Sequence, residues 1–231
     1  MSDSTYNLVR TLGGPIIFVA MRKLVLHEDR AQLPGGCLLA ANHFNYFDPV
    51  VLTGTTTRPI DWIATSSLFA KTWQNRFMRG INCIPIGRGR TNFPEARGVV
   101  KKLRTGRMVG IFPEGGMREH CDSILHGGDF SSHFAHLAEM GRVPVLPVVV
   151  LGSAQFMHPS AWLPGANTFI AINYGTPIPF RYDLPSADAR ETIKCDFKKA
   201  LLGLFAELRA HPFLVKHARS SWWQQHFSEL P

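Results

Sequence analysis

The chain has 231 residues, which is long for one domain and short for two. Its 45% of hydrophobic residues is enough for a proper core, so the chain is globular, and its 18% of charged residues lies below the usual quarter. The net charge of +8 favours a phosphate-bearing substrate or an acidic membrane surface. We expect no nucleic-acid partner, because the sequence has no zinc-finger spacing, recognition-helix pattern or RNP-like aromatic motif.

The first feature along the chain is an apolar run, Thr11 to Met21, between Arg10 and Arg22. It is too short to cross a bilayer, which takes about 20 residues. We predict a helix over 6–26 and assign residues 1–30 to an amphipathic, membrane-associating segment. A helix packed on the sheet is an equal alternative.

Beyond this segment, short apolar runs alternate with longer helix-like ones, a pattern typical of a parallel sheet covered by helices. We predict a single α/β domain over 31–210, with a mainly parallel mixed sheet flanked by helices, and a C-terminal tail over 211–231. The predicted strands are 36–41, 61–66, 82–87, 108–113, 143–151 and 168–175. The predicted helices after the first are 49–56, 73–80, 93–104, 131–140 and 187–209.

The stretch AANHFNYFDPVVL, residues 40–52, joins the first of these strands to a helix. His43 lies in the connecting loop at the carboxyl end of a strand, where ligands bind in open α/β sheets. Asp48 is predicted to be the N-cap of the helix, with Pro49 at its first position. Taken alone, a loop histidine bonded to backbone and a simple cap explain the spacing equally well.

A second unusual stretch, FPEGGMR, follows the strand over 108–113. A parallel sheet would bring Glu114 to the same edge as His43. Gly115 and Gly116 leave backbone N–H groups accessible to an anion, and Arg118 adds a positive charge. A surface turn with a solvated glutamate is the alternative.

Two further stretches flank the site. The strand in NCIPIGRGR ends at Arg88 and Arg90, and VPVLPVVVL carries Pro144 and Pro147. Because proline cannot donate to a sheet ladder, the latter strand is predicted to lie partly at an edge or a bulge beside the site.

In this order, NHFNYFD, CIPIGR, FPEGGMR and VPVLPV resemble the four motif blocks of the glycerolipid acyltransferase family. The resemblance covers about residues 20–180. It implies that His43 is the general base and that Asp48 orients it, in the pattern HX4D. It also implies that Arg88 contacts the phosphate of the acceptor, that Glu114 and Gly115 shape the acceptor site, and that Pro144 belongs to the acyl side.

The third block departs from the family. Gly116 and Met117 stand where the family commonly has Thr and Arg, and Arg118 comes one position late. This departure affects which acceptor the protein would bind more than which reaction it would catalyse. We therefore assign Gly116 and Arg118 to substrate binding together with Arg88, Glu114 and Gly115.

The segment after this block invites a metal site, but its spacing matches no known zinc pattern, such as H-E-x-x-H or paired C-x-x-C. We predict no metal and no bound cofactor. The residues in question are Glu119, His120, Cys121, Asp122 and His126.

The resemblance implies transfer of an acyl chain from a thioester, acyl-CoA or acyl-ACP, to the hydroxyl of a lysophospholipid such as 1-acylglycerol-3-phosphate. A histidine suits this reaction because its ordinary pKa, about 6.5, lies near neutrality. We expect the protein to lie peripherally on the cytoplasmic face of a membrane. The alternatives are a non-phosphate acceptor such as a lyso-aminolipid, a non-catalytic lipid-binding module, and a thioesterase that uses water.

Overall fold

The computed structural model describes residues 3–8, 10–11, 22–87, 93–118, 122–162 and 168–217. Seven strands form one sheet in the order β1-β7-β6-β2-β5-β3-β4, in which every neighbouring pair is parallel except β6 and β7. The prediction of a single α/β domain with a mainly parallel mixed sheet is confirmed. The strands are β1 Arg22–Leu26, β2 Cys37–Ala41, β3 Ile60–Thr65, β4 Ile84–Ile86, β5 Met108–Ile111, β6 Val145–Leu151 and β7 Phe169–Tyr174.

Helices cover both faces of this sheet. Helices α3, α4 and α5 pack on one face, and α1 packs on the other. Among the described helices, none combines the length and apolar character that a bilayer crossing needs. The helices are α1 Asp48–Gly54, α2 Thr72–Gly80, α3 Phe93–Arg104, α4 His133–Gly141, α5 Ser186–Ala210 and α6 Pro212–His217.

The N-terminal helix prediction over 6–26 is wrong for its last part. Residues 22–26 form the edge strand β1, which pairs in parallel with β7. Residues 4–8 and 10–11 are helical and dock on the domain, where the buried Tyr6 hydroxyl accepts a hydrogen bond from the backbone N–H of Ile60. Residues 12–21 lie outside the described residues, as does the tail beyond His217.

The prediction that the proline-bearing strand lies partly at an edge or a bulge is also wrong, because β6 is central, between β7 and β2, and pairs with β2 without interruption from Val145 to Val148. Pro147 precedes the first β6–β7 pair, so the ladder to β7 does not need its missing N–H. Its carbonyl still accepts from the N–H of Gly175. Pro144 lies before the strand begins, and its carbonyl accepts from Leu38.

One edge of the sheet gathers several loops. Strands β2 to β6 run in the same direction, so their carboxyl ends share this edge. The loop with His43 follows β2, and the turn with Glu114 follows β5. Strand order therefore brings together two stretches that lie about 70 residues apart in the chain.

Candidate active site

His43 and Asp48 form a hydrogen-bonded pair at the carboxyl end of β2. The Nδ1 atom of His43 lies 2.9 Å from Oδ2 of Asp48. The side chain of Asp48 is fully buried, whereas that of His43 is 16% exposed. Because Nδ1 is engaged by the carboxylate, Nε2 is the ring nitrogen left for a substrate hydroxyl.

Asp48 is not the N-cap of α1, in contrast to the prediction. It is the first residue of the helix; the cap position is Phe47, and no side chain caps it. The carboxylate instead turns back into the loop, where Oδ2 accepts from the backbone N–H groups of Phe44 and Asn45, each at 2.8 Å. Oδ1 accepts from the hydroxyl of Ser153. Together with His43, these donors satisfy the buried carboxylate.

Two residues next to the His43–Asp48 pair, Asn42 and Ser153, were not predicted from the sequence. The buried amide of Asn42 donates to the carbonyl of Val150 and accepts from its N–H, both at 2.9 Å. It thereby continues the β2–β6 ladder by one step beyond Ala41. Ser153, which follows β6, fixes Asp48 from the other side. Asn42 is the first residue of the block NHFNYFD, yet its sequence context gives it no role of its own, and Ser153 belongs to none of the four blocks.

Glu114 lies at this edge, as predicted, but its carboxylate is bonded within the protein. Oε2 accepts from the backbone N–H of His43, while Oε1 accepts from Ser123 Oγ at 3.0 Å and from Ile124 N at 2.8 Å. Burial raises the pKa of this carboxyl above its ordinary value, and the three hydrogen bonds act in the opposite direction. Glu114 thus connects the β2 and β5 loops to the turn at 123–124.

The ring of His43 lies at the end of an aromatic stack. It stacks on Phe112, with the ring centroids 4.0 Å apart, and Phe112 stacks on Trp62 at 5.0 Å. Trp62 lies directly over Gly110 of β5, where an added Cβ would come within 2.4 Å of the indole. Gly110 therefore leaves the space in which the stack lies flat on the sheet.

We expect Gly110→Ala to destabilise the protein by about 1–3 kcal/mol, because the new methyl group must displace Trp62. The displacement passes to Phe112 and His43, so turnover should fall as well. Denaturant unfolding and steady-state kinetics measure both effects. Gly203→Ala is the matched control, since a Cβ at that exposed position of α5 meets nothing within 4 Å. Equal stability of the two variants would contradict the role of Gly110.

His43 opens onto a cavity of about 1610 Å³, larger than the roughly 300–1,000 Å³ of a typical ligand pocket. The cavity contacts both faces of β3, since it is lined by Trp62 on one and by Ile63 on the other. We call its two parts the α1 branch and the α3–α4 branch. The α1 branch is lined by Val50, Thr53, Trp62, Met78 and Cys83; the α3–α4 branch is lined by Ile63, Ile86, Ala96, Val100, Leu137 and Met140. At the carboxyl edge the cavity is lined by His43, Phe112 and Gly115.

The remaining predicted site residues are not all brought together. Gly115 and Gly116 line the cavity, and so does Met117, which is 41% exposed. The backbone N–H of Arg118 donates to the carbonyl of His43 at 2.9 Å, and its guanidinium contacts the carbonyl of Glu114 at 3.3 Å.

One predicted position lies away from the pair. Pro144 lies at the amino end of β6, at the sheet edge opposite His43, so the structure does not bring it to the catalytic edge. Arg88 and Arg90 lie outside the described residues, as do residues 119–121. Within the described part of the chain, no group of three His, Cys, Asp or Glu side chains has an arrangement for a metal ion.

Comparison with known proteins shows consistent similarities. The family described as Acyltransferase matches residues 23–151. A 1-acyl-sn-glycerol-3-phosphate acyltransferase of Bacillus subtilis is 27% identical over 139 residues, covering 59% of this chain and 67% of that protein. A probable enzyme of the same name from Mycoplasma pneumoniae is 27% identical over 177 residues, covering 70% of this chain and 64% of that protein.

A solved structure shares the fold. The 1-acyl-sn-glycerophosphate (LPA) acyltransferase PlsC from Thermotoga maritima superposes with a TM-score of 0.66, covering 89% of this chain and 80% of that one. Its sequence is 18% identical, so the similarity concerns the fold alone.

Proposed function

Because the chain belongs to the acyltransferase family, we propose that it transfers an acyl chain from a thioester to the free hydroxyl of a lysophospholipid, with 1-acylglycerol-3-phosphate as the first candidate. The observation that carries this proposal is the His43–Asp48 pair at the mouth of a large apolar cavity. The printed names of the two sequence relatives support the same acceptor.

In the proposed reaction, Nε2 of His43 takes the proton of the acceptor hydroxyl while the oxygen attacks the thioester carbonyl carbon. Asp48 stabilises the imidazolium that forms and keeps the proton on Nδ1. When the tetrahedral intermediate collapses, the C–S bond breaks and the imidazolium returns its proton to the leaving thiolate. An ester and a thiol result. No protein nucleophile is required, since the acceptor supplies the attacking oxygen.

In the proposed reaction, Glu114 positions the general base His43 and does not bind the substrate. Both carboxylate oxygens already accept hydrogen bonds from protein groups, which leaves the side chain little capacity for an acceptor. The hydrogen bond from the backbone N–H of His43 to Glu114 fixes the position of the histidine at the end of β2. Gly115 and Gly116 line the cavity at this turn. The backbone N–H of Gly115 is not accessible to an anion as predicted, because it donates to the carbonyl of Phe112 at 3.0 Å, so the substrate contact at this turn would come from the backbone N–H of Gly116.

The donor is proposed to be acyl-CoA or acyl-ACP, and the place of action the cytoplasmic face of a membrane, where the protein is held peripherally. The net charge of +8 supports attraction to an anionic lipid surface. Membrane attachment is measured by flotation with vesicles that contain or lack anionic lipid. Equal flotation with both vesicle types would contradict an electrostatic attachment.

The direct test is mass spectrometry of the products that the purified protein makes from acyl thioesters and a mixture of lysolipids. Diacylglycerol-3-phosphate should form from 1-acylglycerol-3-phosphate. Thiol release at the same rate without any acceptor would identify a thioesterase instead. Binding of lysolipid with no new ester would identify a non-catalytic module.

A second candidate acceptor lacks the phosphate, as in a lyso-aminolipid. Met117 favours it, because an apolar side chain lines the cavity where the resembling family commonly carries arginine. The same mass-spectrometric experiment separates the two acceptors.

We expect Arg88→Ala to raise the KM of a phosphate-bearing acceptor by the equivalent of about 1.5–3 kcal/mol, the value of a charge-assisted hydrogen bond. Arg118→Ala should have a smaller effect, because its guanidinium contacts the carbonyl of Glu114. Steady-state kinetics with 1-acylglycerol-3-phosphate and a matched acceptor without phosphate measure both. Equal losses on the two acceptors would show that neither arginine recognises phosphate.

A further inference from the structure

The two branches of the cavity differ in charge. Four basic or histidine side chains line the α3–α4 branch, above an apolar floor that includes Val100 and Leu137. These four, which we call the basic rim, are Arg97, Arg104, His133 and His136, and all are exposed. In the α1 branch, the described lining residues include one arginine, Arg10. Its guanidinium donates to the carbonyl of Thr57 at 3.0 Å. The α1 branch therefore suits an alkyl chain, whereas the α3–α4 branch suits an amphipathic anion.

The basic rim extends away from the reacting centre. Helix α3 begins after β4, near the carboxyl edge, and ends before β5, near the opposite edge. Arg97 lies in its first half and Arg104 at its end, a separation of about 10 Å along the helix axis at 1.5 Å per residue. Two N–H groups of Arg104 donate to the carbonyl of Met140, which holds this guanidinium across the far end of the branch.

This distance distinguishes the two substrates. The phosphate of 1-acylglycerol-3-phosphate is attached to the carbon next to the one that carries the reacting hydroxyl, so it must stay close to His43. The anionic group of the thioester donor lies at the far end of the pantetheine arm, remote from the reacting carbonyl. Burial lowers the pKa of His136 below its ordinary value, so the positive charge along α3 comes from Arg97 and Arg104. These two arginines, one in the first half of α3 and one at its end, match the donor.

We propose that the α3–α4 branch binds the phosphopantetheine arm of the acyl donor, with its phosphate on the basic rim and its methyl groups on the apolar floor. The proposal rests on the proposed acyl transfer, since it identifies the donor side of that reaction. The arm is common to coenzyme A and to acyl carrier protein, so the shared chemistry is a phosphate ester at the end of an uncharged amide chain. The acyl chains are then left to the α1 branch and the catalytic edge.

The test compares charge changes on and off the branch. Arg97→Ala should raise the dissociation constant of phosphopantetheine and of coenzyme A about two- to fivefold, the effect of one exposed ion pair, and Arg97→Glu should raise it further. Pantetheine without phosphate should bind both variants as it binds the parent protein. The matched control is Lys199→Ala, an exposed cation of α5 that is not among the described residues lining the cavity. Calorimetry on the full chain measures all of these.

Kinetic measurements show which donor, coenzyme A or acyl carrier protein, supplies the phosphopantetheine. The KM of acyl-CoA and that of acyl-ACP are measured in Arg97→Ala with the acceptor saturating, and we expect a rise for whichever donor the enzyme uses, with an unchanged KM for the acceptor. Equal weakening by Lys199→Ala, equal loss with pantetheine, or a rise only in the KM of the acceptor would each overturn the proposal. Calorimetry needs no turnover, so phosphate-dependent binding without any ester product would contradict acyl transfer and leave the anion site standing.

Discussion

His43→Ala is expected to lower kcat by about 10²–10⁴, the usual contribution of a general base. The variant removes Nε2 from the cavity mouth and leaves Asp48 with its three remaining donors. The fold should persist, because His43 lies in a loop and the substitution removes few packing contacts, chiefly the stacking of its ring on Phe112. Steady-state acyl transfer and circular dichroism of the purified variant measure the two effects.

A matched control and a rescue make this test specific. His158→Ala removes an exposed histidine of the loop beyond β6 and should leave turnover unchanged. In His43→Ala the space beside Phe112 is open to the cavity, so added imidazole should restore part of the lost rate. Near-normal turnover of His43→Ala with unchanged circular dichroism would rule out the general-base mechanism.

Much of the catalytic edge was predictable because local patterns define it. An apolar run followed by Asn-His and, five residues after His43, by Asp-Pro predicts a buried strand, a loop and a helix, and the structure has β2 and α1 there. The turn with Glu114 follows a second apolar run in the same way. In a parallel sheet, both loops must lie at one edge, whichever strands separate them.

The errors come from interactions between distant parts of the chain. Residues 22–26 form a strand because they pair with β7, which lies nearly 150 residues later in the chain. Their own sequence does not distinguish a strand from the end of a helix. Pro147 is compatible with a central strand because β7 starts pairing only at Val148, and Pro144 precedes the strand.

The same reasoning explains the residues that were missed or assigned differently. Asn42 bonds to Val150, and Ser153 bonds to Asp48, only because β6 lies next to β2, which no local pattern reveals. Asp48 looks like a cap in the sequence, but its donors come from the loop before the helix and from Ser153. Glu114 was correctly located at the edge, yet its carboxylate oxygens accept hydrogen bonds from His43, Ser123 and Ile124.

Asp48→Asn is expected to lower kcat by about 10²–10⁴ while the protein remains folded, because the amide keeps the shape of the carboxylate and loses its charge. The amide oxygen can still accept from the N–H groups of Phe44 and Asn45, and the amide nitrogen can donate to the hydroxyl of Ser153. The bonds that lose charge assistance should cost about 1–3 kcal/mol of unfolding free energy. Without the negative charge, the imidazolium of the transition state is no longer stabilised.

Ser153→Ala is the matched control for Asp48→Asn, because it removes one donor from the same buried carboxylate and preserves the charge beside His43. We expect it to lose about 1–3 kcal/mol of stability by leaving Oδ1 of Asp48 without this partner, and to keep kcat within roughly tenfold of the parent protein. Urea unfolding and acyl transfer are measured on both variants below their unfolding transitions. If the two lose activity in proportion to stability, Asp48 holds the loop and does not act on the histidine. If only Asp48→Asn loses turnover, the negative charge of Asp48 is what the reaction requires.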